Sequence, residues 1–294
     1  MSWQIKVPAT TANLGAGFDS IGVALNLYLI LDIKQADQWE FVPRSACLEG
    51  IPEDESNLIY QIADQTAKQF SNKLLPTCRV EMTSDIPLAR GLGSSATAIV
   101  AGIELANQLL KLELTNHDKL QFATEIEGHP DNVAPSILGG CVIGHFDQTL
   151  ASIRVPIDDL IFLAAVPEFE LKTSDARSVL PASFAYPESV QASSVANVSV
   201  AAICQQNWSL LGKMMKKDRF HQPYRKELIP HYDALVSLLE KDAYGIFLSG
   251  AGPTMIALTT QAKVDEHLAD WKVKFPELTW LPLEVENHGV RVIQ

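Results

Sequence analysis

The stretch that most constrains this chain is Pro87-Leu88-Ala89-Arg90-Gly91-Leu92-Gly93-Ser94-Ser95-Ala96-Thr97. It runs directly into a helical pattern with Ala96, Ile99, Val100, Ile103, Ala106 and Leu110 on one face. A helix start carries unpaired backbone N–H groups and a partial positive charge, so it binds an anion without needing a lysine. Glycines at 91 and 93 let the backbone approach oxygen atoms that a Cβ would hold off. Ser94 and Ser95 add hydroxyls suited to phosphate or to a Mg2+ ion shared with it. On these residues alone three readings stay open. The serines and glycines could simply cap and turn a buried helix. Gly91, Gly93 and Ala96 also fit the dinucleotide pattern G-x-G-x-x-A, with Glu113 near the expected acidic position, which would make the chain an NAD-binding dehydrogenase. That pattern belongs in an alternating β/α order, whereas here a proline-bearing loop in an irregular order of elements precedes it. The third reading is a phosphate loop of another kind, since no Gly-Lys-Ser/Thr follows at P-loop spacing.

Around this loop the pattern is mixed α+β. Ile5–Val7 and Val23–Ile33 read as strands joined by a small-residue loop over Pro8–Gly22, Asn57–Phe70 as a helix, and Arg79–Thr83 as a half-buried strand. A helix over Asp118–Glu127 is expected to stop at Gly128-His129-Pro130, where Gly and Pro both oppose continuation. After about Ala151 new strands and helices begin: a strand at Leu160–Val166, helices at Ser194–Ala202, Trp208–Met215 and Tyr232–Glu240, and strands at Gly245–Leu248 and Met255–Thr259 around a Gly loop at Ser249–Thr254. A chain of 294 residues is long for one core. The expected organisation is therefore two α+β lobes, residues 1–155 and 156–294.

Charge and cysteine usage exclude several classes. With 35 acidic against 23 basic residues the net charge is −12, a surface that repels nucleic-acid phosphates and anionic lipid. An anionic small substrate would therefore need a local island of positive groups. Cys47, Cys78, Cys141 and Cys204 are scattered without C-x-x-C or paired histidines, which argues against zinc or a disulfide framework and for reduced, mostly buried thiols. Met1–Val7 does not read as a signal peptide, and no apolar run approaches the ~18–20 residues that span a bilayer, so the expected location is cytoplasmic.

Two further glycine-bearing segments accompany the phosphate-loop candidate: Thr11-Ala12-Asn13-Leu14-Gly15 with Gly17-Phe18-Asp19, and Leu248-Ser249-Gly250-Ala251-Gly252-Pro253-Thr254. Each could be a plain turn. In this order, the three segments resemble the signature of the GHMP kinases, the superfamily of galactose, homoserine, mevalonate and phosphomevalonate kinases. With His129-Pro130-Asp131-Asn132-Val133-Ala134-Pro135 and with Arg177 and Arg225, the resemblance is greatest to its homoserine kinases. It covers most of the chain. It implies an N-terminal lobe like domain 2 of ribosomal protein S5, a ferredoxin-like C-terminal lobe, and an active site between them. The implied reaction moves a phosphoryl group from ATP, with Mg2+, onto the hydroxyl of L-homoserine, giving O-phosphohomoserine on the way to threonine. A sister enzyme acting on mevalonate or a sugar, and a non-catalytic nucleotide sensor, are the alternatives on the same scaffold. Relatives are often dimers, which extends the expectation to a homodimer.

The resemblance also implies roles. Residues 87–97 would hold the nucleotide phosphates and Asn57 would lie near the adenine. Ser95 and Glu127 would hold Mg2+. A carboxylate at a helix C-terminus faces the unfavourable end of the dipole, which itself argues for a functional reason. Homoserine is a zwitterion. Arg177 and Arg225 would clamp its carboxylate, since a guanidinium fork matches two oxygens. Asn13 and Asp19 would receive its ammonium and hydroxyl end, with His129 nearby and Thr173 beside Arg177. Several superfamily members carry an aspartate where this chain has Asn132, and an amide cannot accept the hydroxyl proton. Asp131 is adjacent. With Asp131, Asn132 and Arg177 around the reacting groups, the expectation is catalysis by charge stabilisation without a dedicated carboxylate base.

Overall fold

In the computed structural model, which describes residues 3–293, one long hairpin organises the first lobe. Strands β1 (Trp3–Asn13) and β2 (Gly17–Gln35) pair antiparallel, with register shifts at Pro8/Ala9 and Ala12/Asn13. This corrects the loop expected over Pro8–Gly22, since only Leu14–Ala16 turns. Its alanines and threonines read as loop residues because they lack apolar alternation. They lack it because both faces of the strand are covered, and every residue from Val7 to Asn13 is buried.

β3 (Glu40–Pro43) pairs parallel with β4 (Cys78–Ser84), and β4 pairs antiparallel with residues 29–35 of β2. The other half of β2, residues 21–23, takes β5 (Cys141–Phe146), which pairs with β6 (Leu150–Val155). Helices α1 (Leu58–Phe70), α2 (Ser94–Leu110), α3 (Asn116–Glu127) and α4 (Pro130–Leu138) belong to this lobe, with α2 and α4 packed on β1 and α1 packed on α2. α3 ends at Glu127 with Gly128 as its C-cap, where the stop was expected. A further helix, α4, then starts at Pro130, because a first-turn proline forgoes an N–H that has no intrahelical partner anyway.

The second lobe begins with β7 (Ile161–Val166), followed by α5 (Thr173–Ser178), α6 (Tyr186–Cys204), α7 (Trp208–Met215), α8 (Gln222–Arg225) and α9 (Tyr232–Leu239). It continues with β8 (Gly245–Leu248), β9 (Met255–Thr259), α10 (Gln261–Lys274) and β10 (Thr279–Leu283). The strand order β10-β7-β9-β8, antiparallel throughout, is that of a ferredoxin-like unit. The last strand, β11 (Arg291–Ile293), returns to the first sheet and pairs with β1.

The alternation of β7 shows how the lobes are joined. Phe162, Ala164 and Val166 enter a core shared with the first sheet, while Leu163 and Ala165 enter a second core with Trp271 and Trp280. Each large apolar side chain fully buried there contributes about 1.5–3 kcal/mol, so the sheets hold a fixed geometry across the cleft between them. Of the thiols, Cys78 and Cys141 are buried, Cys47 is half-buried and Cys204 is exposed. Among the described residues no helix is long and apolar enough to cross a membrane.

Candidate active site

A cleft of about 410 Å3 lies where the two lobes meet, within the range of small-molecule and cofactor sites. One end is apolar, lined by Leu48, Ile51, Leu58 and Met82. The middle is the entrance of α2, from Gly93 through Ala98, and the far wall carries Glu127, Asn132, Thr173 and Gly250. Asn57 lines the apolar end, buried and already committed: its Oδ1 accepts from Ile59 N at 2.9 Å and its amide donates to Pro52 O at 2.7 Å. It therefore caps α1 while shaping that wall.

The loop before α2 is held open by contacts outside itself. Gly93, the α2 N-cap, has φ +72°, and a Cβ there would stand 2.0 Å from Thr10 Oγ1. Gly91 has φ +75°, and its Cβ would stand 2.3 Å from Ser249 O. Only glycine tolerates both the backbone conformation and the approach. Leu92 O accepts from Thr10 N at 3.2 Å, and Gly91 O accepts from Ser249 Oγ at 2.6 Å. Ser249 Oγ also bonds Thr11 Oγ1 at 2.7 Å, so β1, the phosphate-loop candidate and the second-lobe Gly loop share one buried junction. Within residues 87–97 the side chains divide. Leu88, Ala89, Ser94, Ser95, Ala96 and Thr97 line the cleft, as do Gly91 and Gly93. Pro87, Arg90 and Leu92 do not: Leu92 sits in the core, and Arg90 donates to the carbonyls of Leu88, Pro167 and Glu168. The loop thus presents main-chain amides and hydroxyls rather than a basic side chain.

Glu127 and the serines face the same cleft. Among the described residues no group hydrogen-bonds to the Glu127 carboxylate or forms an ion pair with it. Burial raises its pKa, opposed by the charges of His129 and Arg177 and reinforced by Asp131. A half-buried, unmatched carboxylate lining the same cleft as serine hydroxyls is an oxygen-only donor set, the kind that would suit Mg2+.

Beyond Asn132 the cleft gives way to a charged end drawn from both lobes. The Arg177 fork grips Asp19 through two bonds, Nη1 to Oδ2 at 3.1 Å and Nη2 to Oδ1 at 2.9 Å. Arg225 is buried; its Nε donates to Ala176 O and its Nη1 to Gly250 O, each at 3.0 Å. Burial first, and then the neighbouring Arg177 charge, bring its pKa down to about 10, still cationic at neutral pH. The Phe18 ring lies against both arginines, 5.5 Å from Arg177 Cζ and 5.1 Å from Arg225 Cζ. Asn13 is used at both ends, donating to Gly250 O at 2.9 Å and accepting from Asp19 N at 3.1 Å. Thr173, exposed at the start of α5, lines the cleft on the Arg177 side.

Asp131 is buried and its Oδ1 is doubly engaged, by His129 Nδ1 at 2.5 Å and by Asn132 Nδ2 at 3.1 Å. Asn132 Oδ1 in turn accepts from Thr10 Oγ1 at 2.8 Å, which fixes the amide facing the cleft. Burial opposes charge on His129, but the Asp131 bond and charge, helped by Asp19 and Glu127, outweigh it and raise its pKa. Ligand atoms of Asp19, His129 and Asp131 lie within 4.8 Å of one another, so two carboxylates and an imidazole gather beside Arg177. Sequence reading missed Asp218 and His221, buried beneath Arg225. Their signal was there: Asp218, three residues before His221 and followed by Gln222-Pro223, is a helix-start pattern, and its carboxylate accepts from the backbone N–H groups of Phe220, His221 and Gln222.

The dinucleotide reading of Gly91, Gly93 and Ala96 fails on topology. α2 follows β4, whose main partner β2 is antiparallel, not a strand of a parallel β/α sheet. Comparison with known proteins agrees. The profile of the GHMP kinases N terminal domain matches residues 57–140, and that of the GHMP kinases C terminal matches residues 199–277. A homoserine kinase of Halalkalibacterium halodurans is 47% identical over 99% of this chain and 95% of its own length. That of Bacillus pumilus is 48% identical over 99% and 94%. The crystal structure of homoserine kinase from Cytophaga hutchinsonii superposes with a TM-score of 0.86 at 30% identity, covering 99% of this chain and 97% of that one. A mevalonate kinase crystal structure, at 18% identity and a TM-score of 0.72, shares the fold.

Proposed function

The chain belongs to the GHMP kinases, and from that premise we propose that it phosphorylates the side-chain hydroxyl of L-homoserine with ATP, giving O-phospho-L-homoserine. It is an ATP-dependent small-molecule kinase of amino-acid biosynthesis. The observation that carries the substrate is the grouping of opposite charges at the far end of the cleft: the guanidinium groups of Arg177 and Arg225 beside the carboxylates of Asp19 and Asp131, with Arg177 and Asp19 paired to each other. A zwitterionic amino acid complements both, its carboxylate on the guanidinium groups and its ammonium on Asp19 and Asn13. Mevalonate brings no ammonium and a neutral sugar brings neither charge, so each would use only part of this arrangement.

Phosphoryl transfer asks the protein chiefly for positioning and charge stabilisation. The first-turn amides of α2 and the hydroxyls of Ser94 and Ser95 would receive the phosphates, Thr97 Oγ1 being committed to Ser94 O at 2.8 Å, and the apolar end by Asn57 would receive the adenine. Mg2+, held by Ser95 and Glu127, would neutralise charge on the transferring group. Asn132 would orient the acceptor hydroxyl. Asp131, buried and doubly hydrogen-bonded, supports orientation of His129 and Asn132 over proton abstraction. The two domains are proposed as residues 1–155 and 156–294, supported by the gap between β6 and β7, with β11 returning to the first sheet. A homodimer is proposed on the resemblance alone.

A coupled assay of ADP release over L-homoserine, L-serine, mevalonate and galactose tests the reading. L-homoserine is expected to give the highest kcat/KM, and a higher value for any of the others would replace the substrate.

A further inference from the structure

His221 has no place in the reaction as derived so far, yet it is wholly buried and touches three parts of the substrate end. Its Nε2 lies 2.9 Å from Gly15 O, in the turn between β1 and β2, and 3.4 Å from Asp218 Oδ2. Its Nδ1 lies 3.4 Å from Arg225 Nη1. Its ring stacks on Phe18 with centroids 5.4 Å apart and planes 18° apart, on the ring that also faces Arg177 and Arg225.

Elementary chemistry fixes the state of this ring. A carbonyl oxygen can only accept, so Nε2 must carry the hydrogen towards Gly15. A guanidinium can only donate, so Nδ1 must offer a bare lone pair to Arg225. Both conditions hold only for the neutral Nε2–H tautomer. An imidazolium would present a second cation to Arg225, and the other tautomer would oppose donor to donor. Burial, outweighing the Asp218 charge and aided by Arg225, lowers the His221 pKa in keeping with this.

We propose that His221 is a positioning residue for substrate: as the neutral Nε2–H tautomer it accepts from Arg225 and so aims that guanidinium at the carboxylate of the incoming amino acid. With Nε committed to Ala176 O and Nη1 to Gly250 O and His221, Nη2 is the edge left for the substrate. Asp218 acts one step further back, holding the His221 backbone through the start of α8. The inference rests on the proposed use of Arg225 for the substrate carboxylate.

Two substitutions separate this role from plain packing. In asparagine the side-chain oxygen is two bonds from Cβ, as Nδ1 is, so His221→Asn can still accept from Arg225. In glutamine the amide nitrogen is three bonds from Cβ, as Nε2 is, so His221→Gln keeps the Gly15 contact and loses the acceptor. His221→Gln is expected to raise KM for L-homoserine on the order of 10-fold, the effect of losing a hydrogen bond to a charged group, with KM for ATP within about 2-fold. His221→Asn is expected to recover most of that loss. Equal KM values for the two variants, or a homoserine KM unchanged in His221→Gln, overturn the inference. Arg225→Lys serves as the control. If it leaves the homoserine KM unchanged, the substrate reading itself fails; if it raises KM while His221→Gln does not, only the role of His221 fails. Should the variants not fold, 15N NMR of the histidine rings in the parent protein decides: a protonated Nε2 with a bare Nδ1 at neutral pH is expected, and an imidazolium or Nδ1–H tautomer at His221 overturns it.

Discussion

The two ends of the cleft are built on opposite plans. The phosphate-binding part of the nucleotide end is one continuous stretch, the loop into α2, whose own lining residues offer main-chain amides and hydroxyls. The substrate end is assembled from Asn13, Asp19, His129, Arg177, Arg225 and Gly250, brought together from both lobes, and works through side-chain charge. An anion site made of backbone is fixed by local conformation, whereas a charge constellation needs the whole fold to bring it together and desolvate it. The ends meet at few points: Asn132, Gly250 and the Ser249 junction. Substitutions should therefore sort cleanly by end, and those at the junction should not.

The largest effect is expected from Glu127→Gln, with kcat falling about 10²–10³-fold, the range for removing one electrostatic contributor to a transition state. Steady-state kinetics should show the homoserine KM nearly unchanged; unchanged kcat removes Glu127 from the site. Next, Arg225→Met should raise the homoserine KM on the order of 10²-fold, the loss typical of a desolvated charge partner, and leave KM for ATP untouched. A rise in both would break the separation of the ends. Asp131→Asn is expected to cost roughly 10-fold in kcat if Asp131 orients His129 and Asn132; a loss approaching 10⁴-fold with binding intact would make it the general base.

Ser249→Ala tests the junction. It leaves Gly91 O and Thr11 Oγ1 without a partner in a buried place, which costs about 1–3 kcal/mol. A thermal melt should drop by several degrees, at about 2–4 °C per kcal/mol for a chain approaching this size, and both KM values should rise together. An effect confined to one substrate would show that the ends are not coupled there.

The smallest effect concerns pH. Burial raises the Glu127 pKa, so the folded chain holds that proton more tightly than the unfolded chain. The stability this contributes is present at low pH and is lost as pH rises through the ordinary carboxylate range, ~4.3, to the raised value. Cation binding runs the other way and needs the ionised form. Calorimetry of Mg2+-dependent nucleotide binding should show affinity falling, as pH is lowered, from above the ordinary carboxylate range, and Glu127→Gln should flatten that limb. The same limb in both proteins would assign it to another group.

Much of the nucleotide end was legible in the sequence because its information is local. Gly91, Gly93, Ser94 and Ser95 at a helix start announce amides and hydroxyls wherever the chain goes. The strands over Gly245–Leu248 and Met255–Thr259 were legible for the same reason: their boundaries are set by adjacent turn residues. β1 was read short because full burial on both faces erases alternation, β2 was read short at its half-buried start, and α4 was missed because a proline marks a helix start as readily as its end. α6 begins eight residues before the stretch expected from apolar spacing, since much of its surface is exposed.

From the sequence alone came the anion-binding helix entrance, the absence of a lysine there, and the residues able to serve a zwitterion. Tertiary structure alone decided that Arg177 meets Asp19, that Asp131 is engaged by its neighbours, and that a buried histidine lies beneath Arg225 in one tautomer. Backbone conformation is written in neighbouring residues, but the charge a side chain carries and the direction it points depend on which distant groups the fold buries beside it.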